Sequence, residues 1–196
     1  MTDPLERWPL TDLALRDALL GEYADPGRGY HDTLHLTEVL DRLDELAGAG
    51  VGFDATVASL AAWFHDAVYD GERDAEERSA AWAEEALAGT PYAAEVARLV
   101  RLTETHDPSA DDHAGQALCD ADLAILASGQ ERYDAYLAGV RREYAYLPDA
   151  DFASGRAAVL KDLARRERLF HTSYGREHWE PAARANLERE LAALQV

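Results

Sequence analysis

An all-α orthogonal bundle is the fold class this chain predicts, on three observations. Apolar residues recur at helical spacing in segment after segment, Gly, Pro, Asp or Thr stands at most of the breaks, and no stretch of alternating β-branched residues is long enough for a sheet. The first segment, 11–24, runs up to the loop Pro26-Gly27-Arg28-Gly29. The second, 34–47, carries one stripe of Leu36, Val39, Leu40, Leu43 and Leu46, with His35 flanking it one turn before Val39. Gly48, Gly50 and Gly52 end that helix and turn the chain, and Asp54 is placed to cap the third segment, 55–69. Its inner face takes Val57, Leu60, Ala61, Phe64 and Val68. Segment 75–88 follows. Segment 92–105, with Val96, Leu99, Val100 and Leu102, leads into the acidic loop 107–112. Segment 116–127 sets Leu118, Asp122 and Ile125 on one face, with Cys119 and Leu126 beside it. Segment 130–146 carries Tyr133, Tyr136, Leu137 and Val140, a stripe suited to the core or to a subunit contact in a homo-oligomer. Segments 150–166 and 180–194 complete the set, and no repeat recurs at a fixed period.

At 196 residues the chain fits one domain, 1–196, large enough to bury about 70% of its unfolded surface. The helices from about 130 onward are expected to pack on the part that precedes them. A composition of 47% hydrophobic and 29% charged residues is that of a globular protein, and no apolar run reaches the length needed to cross a membrane. The start, residues 1–7, lacks a basic segment followed by an apolar core, and the single cysteine, Cys119, forms no internal disulfide. Both lead to the expectation of a cytoplasmic protein. The formal charge of −19, from 19 basic and 38 acidic residues, excludes a general nucleic-acid binder and disfavours long polyanions. Neither a nucleophile elbow, a phosphate-binding P-loop nor a dinucleotide glycine fingerprint is present. Cys119 reads as a small buried hydrophobe.

Polar groups on otherwise apolar faces carry the functional signal. His65 lies four residues after Ala61, on the inner side of its helix, and Asp66 is about 100° further round, close enough for both to meet one ion. His35 and Asp122 also face inward, and a carboxylate buried without a partner would neutralise itself or cost several kcal/mol. A single inward histidine is equally explained as a hydrogen-bonded core residue, and a single inward Asp as a cap or an Arg partner; the four together favour a shared cation. Their nitrogen and oxygen donors suit Mn, Fe, Co, Ni or Zn, with Mg also possible, as one or two divalent ions. Asp120 projects to a different side and is expected to be solvated, as is His113, and His171 and His178 have no ligand-like neighbours in sequence. His106 ends an amphipathic segment, as a second-metal ligand, a substrate contact or a plain loop residue.

The order Tyr30-His31 with His35, then Phe64-His65-Asp66, then Ala121-Asp122-Leu123, resembles the H…HD…D signature of the HD-domain metal-dependent phosphohydrolases. Within them the chain looks most like a small bacterial group of predicted HD phosphohydrolases. That likeness takes in 28–31, 63–70, 76–80, 120–126 and 142–144 and ends near 183–187, nearly the whole chain. It implies an HD-like bundle in which His35, His65, Asp66 and Asp122 are the metal ligands. Tyr30-His31 also looks like the paired histidines of cyclic-nucleotide phosphodiesterases, which implies His31 as a general acid. Asp32 stands where that pattern has Asn, and Ala75 where the bacterial group has Asn before its Glu.

The expected activity is metal-assisted hydrolysis of a small phosphate ester or nucleotide, with Asp66 orienting or deprotonating the attacking water, His31 protonating the leaving oxygen and Arg28 meeting phosphate oxygens. An ordinary surface role for Arg28 stays open. The alternatives are a di-iron oxygenase of the same fold, for which His106 is the candidate extra ligand, and a non-catalytic nucleotide sensor that keeps the metal for structure.

Overall fold

The computed structural model describes residues 3–71 and 74–194, so the ends of the expected 1–196 domain lie outside the described residues. Ten α-helices follow one another and no strand occurs among the described residues: α1 (Leu13–Tyr23), α2 (Thr33–Gly48), α3 (Ala55–Phe64), α4 (Ala75–Ala86), α5 (Ala93–Leu102), α6 (His113–Leu123), α7 (Gln130–Glu143), α8 (Asp149–Arg165), α9 (Ser173–His178) and α10 (Glu180–Leu194). Short 3-10 turns lie at Pro4–Arg7 and Ala124–Ala127. No helix among the described residues is long and apolar enough to cross a membrane.

Aspartates set several of the starts. Asp12, Asp54 and Asp112 each accept the backbone N–H three residues on, and Asp32 accepts those of Leu34 and His35, which fixes where α2 begins and so the register of His35. The middle of the bundle is α3. Val57, Ala58 and every residue from Leu60 to Phe64 are buried, so this helix is apolar all round and packs against α2, α5 and α6. Trp8 closes one end edge-on to Trp63 at 5.2 Å. Helix α10 lies against Ala124–Ala127 and α8. The aromatic stripe of α7 belongs to the core: Tyr133 is fully buried and donates to Glu190 at 2.6 Å, and Tyr136 is buried beside it.

Several expected boundaries move, each for a visible reason. The helix expected over 55–69 ends at Phe64: the Ala67 N–H turns back to the Phe64 carbonyl at 3.0 Å, the Val68 N–H goes to the Ser79 hydroxyl, and Arg28 takes the carbonyls of Asp66 and Ala67 at 2.7 and 3.0 Å. The 116–127 segment starts earlier, at His113, and tightens into 3-10 geometry after Leu123. Helix α9 and the Pro4–Arg7 turn, six and four residues long, are too short for a periodic signal.

Gly29 and Gly139 join the loop before α2 to the middle of α7, backbone against backbone. A Cβ built on Gly29 would stand 2.1 Å from the Gly139 carbonyl oxygen, and one on Gly139 would stand 2.6 Å from that of Gly29. Glycine inside a helix is about 1 kcal/mol worse than alanine, so this close approach is what the residue is there to allow. Gly139→Ala is therefore expected to destabilise by about 1–3 kcal/mol despite its better helix propensity, measured as a lower denaturant midpoint. A midpoint raised by the substitution would contradict the contact.

Candidate metal centre

His35 comes from the first turn of α2, His65 and Asp66 from the end of α3, and Asp122 from the end of α6, so three adjacent helices meet at one point. His65 Nε2 is 3.1 Å from His35 Nε2 and 3.0 Å from Asp66 Oδ2, which is itself 3.2 Å from His35 Nε2. These three residues offer ligand atoms that all lie within 4.8 Å of one another and can hold a metal ion. Asp122 Oδ1 stands beside them, 3.2 Å from His35 Nε2 and 3.7 Å from His65 Nε2. Two donors bonded at about 2.1 Å to one ion, 90–109° apart, are about 3.0–3.4 Å from each other, so the spacing of His35, His65 and Asp66 fits octahedral or tetrahedral coordination, and Asp122 at 3.7 Å from His65 needs a small shift.

The imidazoles are preset for this. His65 Nδ1 donates to the Ala62 carbonyl at 2.7 Å, and because a carbonyl only accepts, Nδ1 carries the proton and Nε2 is left to present a lone pair. The Tyr23 hydroxyl lies 3.4 Å from the same Nδ1 and accepts the Asp66 N–H at 3.2 Å. The His35 and His65 side chains are 2% and 1% exposed, whereas Asp66 and Asp122 are each 15% exposed: the nitrogens form the sealed floor and the carboxylates its open side. Burial alone would lower both imidazoles and raise both carboxyls. Instead Asp66 and Asp122 hold the imidazoles above their ordinary range, and the facing histidines hold the carboxyls well below theirs. The cluster demands positive charge, which protons or a divalent ion supply.

His31 sits beside this group, its ring 5.6 Å from that of His35 and stacked on Tyr69 at 3.9 Å. Glu143, at the end of α7, holds it: one oxygen takes His31 Nδ1 at 2.9 Å, and the other accepts the backbone N–H groups of Gly29, Tyr30 and His31 at 2.7–2.9 Å. Those bonds outweigh the burial that would raise it, and keep the Glu143 carboxyl down at about 2. Arg28 is 6% exposed, and its guanidinium donates to the carbonyls of His31, Asp66 and Ala67. It is thus a positioning residue that ties the loop to the His65-Asp66 turn, neither a surface arginine nor a free fork for phosphate.

His106 adopts the left-handed region, φ +50°, and its Nε2 is 2.8 Å from Asp122 Oδ2. It therefore touches the outer oxygen of the carboxylate whose inner oxygen faces the cluster. A cleft of about 850 Å³ opens above, lined by His31, Asp66, His106 and Asp122 at one end and by α8 along its length. Tyr30 packs beside the His35 ring at 4.7 Å, and its buried hydroxyl has no hydrogen-bond partner. A larger groove of about 1590 Å³ includes none of the four candidate ligands; it shares His106, Asp162 and Arg166 with the cleft.

Asp120 departs from expectation. It is fully buried and accepts the backbone N–H groups of His171 and Thr172 at 2.6 and 2.8 Å, pinning the segment before α9, while burial pushes its carboxyl up to about 6. A local face argument could not see partners that are backbone groups some 50 residues away. His113 and His178 are exposed, and His171 lies against the carbonyl of His106. Cys119 is buried, and that burial raises its thiol. Glu143, by contrast, was accessible to sequence reasoning: it extends the Tyr136, Val140 stripe by three residues, the same signature that marks Asp122.

Two outcomes test this geometry. Mn, Co or Zn added to metal-free protein at about 100 times its dissociation constant should stabilise it by about 2.7 kcal/mol, seen as a raised thermal midpoint. His65→Ala or Asp66→Asn should abolish that increment. An equal increment in the variants would place any bound ion elsewhere. Because the Glu143 carboxyl is depressed, its contribution is complete above the ordinary range near 4.5 and is lost as pH falls through about 2. The difference of about 2.5 units sets an upper bound of about 3.4 kcal/mol. Glu143→Gln should flatten the acid limb of a stability-against-pH curve between those limits, and an unchanged limb would refute the assignment.

Comparison with family models, with curated proteins and with solved structures finds no match for this chain.

Proposed function

We propose that this protein is a metal-dependent phosphohydrolase acting on a small phosphate ester. The observation that carries the reading is the constellation at the inner end of the cleft: His35, His65 and Asp66 within 3.0–3.2 Å of one another, Asp122 3.2 and 3.7 Å from the two imidazoles, and an oriented His31 next to them. His35, His65 and Asp66 would hold one divalent ion, with Asp122 as a fourth ligand. The four-part order that resembles the HD phosphohydrolases selects the same residues.

A bound ion of this kind supplies Lewis acidity, bringing the pKa of water toward neutrality and polarising a phosphoryl oxygen. The chain supplies the rest. Asp66, half-buried at the boundary between floor and cleft, orients the attacking water and accepts its proton. Glu143 takes Nδ1–H of His31, which leaves Nε2 as the nitrogen that hands a proton to the departing oxygen. Stacking on Tyr69 limits rotation of that ring. The contact of His106 with Asp122 favours a role in fixing the carboxylate over the extra-ligand role that a di-iron oxygenase needs.

Phosphomonoesters, phosphodiesters and nucleotides assayed with Mn, Co, Ni or Mg should include at least one class with metal-dependent turnover. Asp122→Asn should lower kcat at least 100-fold with the helical signal intact, and His31→Gln should lower it about 10²–10⁴-fold, most for esters with poor leaving groups. Absence of metal-dependent turnover in every class would end this reading.

A further inference from the structure

Resting on that reading, we propose that the cleft selects a soluble ester carrying one phosphorus and an apolar alkyl or aryl group, and turns away nucleoside di- and triphosphates. The first support is the wall formed by α8. Phe152, Gly155, Val159 and Leu163 recur every three or four residues along the face that lines the cleft, and Tyr144 and Leu147 extend the apolar surface toward α7. Phe152 and Leu163 are partly buried against the core, and the stripe is open at Val159. Leu160 is the buried residue of α8, whereas Val159 is 53% exposed. Across the cleft stand Leu123, Ile125 and Leu126. An apolar face that ends at a cluster able to hold a cation is arranged for a ligand with a greasy body and an anionic tip, and about 850 Å³ is ample for one of modest size.

Charge supplies the second support. Among the described residues six carboxylates line the cleft, Asp66, Glu76, Glu104, Asp122, Asp151 and Asp162, against two arginines. Arg156 is paired with both oxygens of Glu190 at 2.7 and 3.1 Å and with the Tyr136 hydroxyl, and Arg166 stands 3.2 Å from Asp162. A terminal phosphate placed at the cluster would meet the cation held there. Among the described residues lining the cleft, both guanidinium groups are already engaged, so each further phosphate would lie along acidic walls.

Gly155 gives the test its lever. A Cβ there meets nothing within 4 Å, so this cleft-lining position accepts a side chain without a clash at Cβ, and inside a helix most residues improve on glycine. With Mn-supplemented protein, kcat/KM for octyl and phenyl phosphate should exceed that for methyl phosphate and for ADP at least tenfold, since burying even two methylenes is worth about that factor. By calorimetry, octylphosphonate should bind at least tenfold more tightly than methylphosphonate or ADP. Gly155→Phe should weaken octylphosphonate binding at least tenfold, with metal content and thermal midpoint as in the parent. Tighter binding of ADP or ATP, no gain from methyl to octyl, or turnover confined to phosphate lipids in vesicles would overturn the proposal. Metal-dependent turnover without an apolar preference removes this inference and leaves the phosphohydrolase reading standing. No metal-dependent turnover and no phosphonate binding removes both.

Discussion

Asp66 and Asp122 bring two carboxylates against two buried imidazoles, and the need to balance charge at that point organises the surrounding chain. Water reaches only the carboxylate side, so the imidazole side must satisfy itself from the protein. It does so through backbone contacts: the Ala62 carbonyl receives His65 Nδ1–H, and the Tyr23 hydroxyl accepts the Asp66 N–H. Interior ionisable groups held this way are costly to leave unpaired, which is why their placement is a statement about what binds there.

Two side chains from outside the cluster keep its open edge in order, and both act on backbone. Arg28 gathers three carbonyls from two segments, and Glu143 gathers three N–H groups from one. Together they hold the loop before α2 against the turn after α3, with Gly29 and Gly139 in backbone contact underneath. Loops that bear chemistry are usually mobile unless tied down, and here the ties are charge-assisted bonds, roughly twice as strong as neutral ones. The proposed acid, His31, inherits its orientation from this bracing.

What could be read in the sequence follows from the kind of partner each residue has. Asp122 and His65 were legible because their neighbours on the helix are apolar, and helical periodicity alone turns them inward. Glu143 obeys the same rule on α7. Arg28 and Asp120 were not legible, because their partners are backbone groups, which no pattern of side chains records. The end of α3 was misplaced for a related reason: the distant Ser79 hydroxyl takes the Val68 N–H that a longer helix would have bonded to the Phe64 carbonyl, and nothing local to 65–69 marks the break. The bundle itself was recoverable from apolar stripes and Asp caps, while α9 was too short to leave a period.

The fixed tautomer of His65 has a kinetic side. An arriving ion meets a nitrogen already turned toward it on a ring that cannot flip without giving up its bond to the Ala62 carbonyl. Entry of an ion would then need the protons held on the imidazoles and the ion's own hydration shell to leave, with no rearrangement of the chain. Ions of equal charge and similar size would fill the pocket at rates ordered by how tightly they hold water, giving discrimination in time where affinity alone gives little.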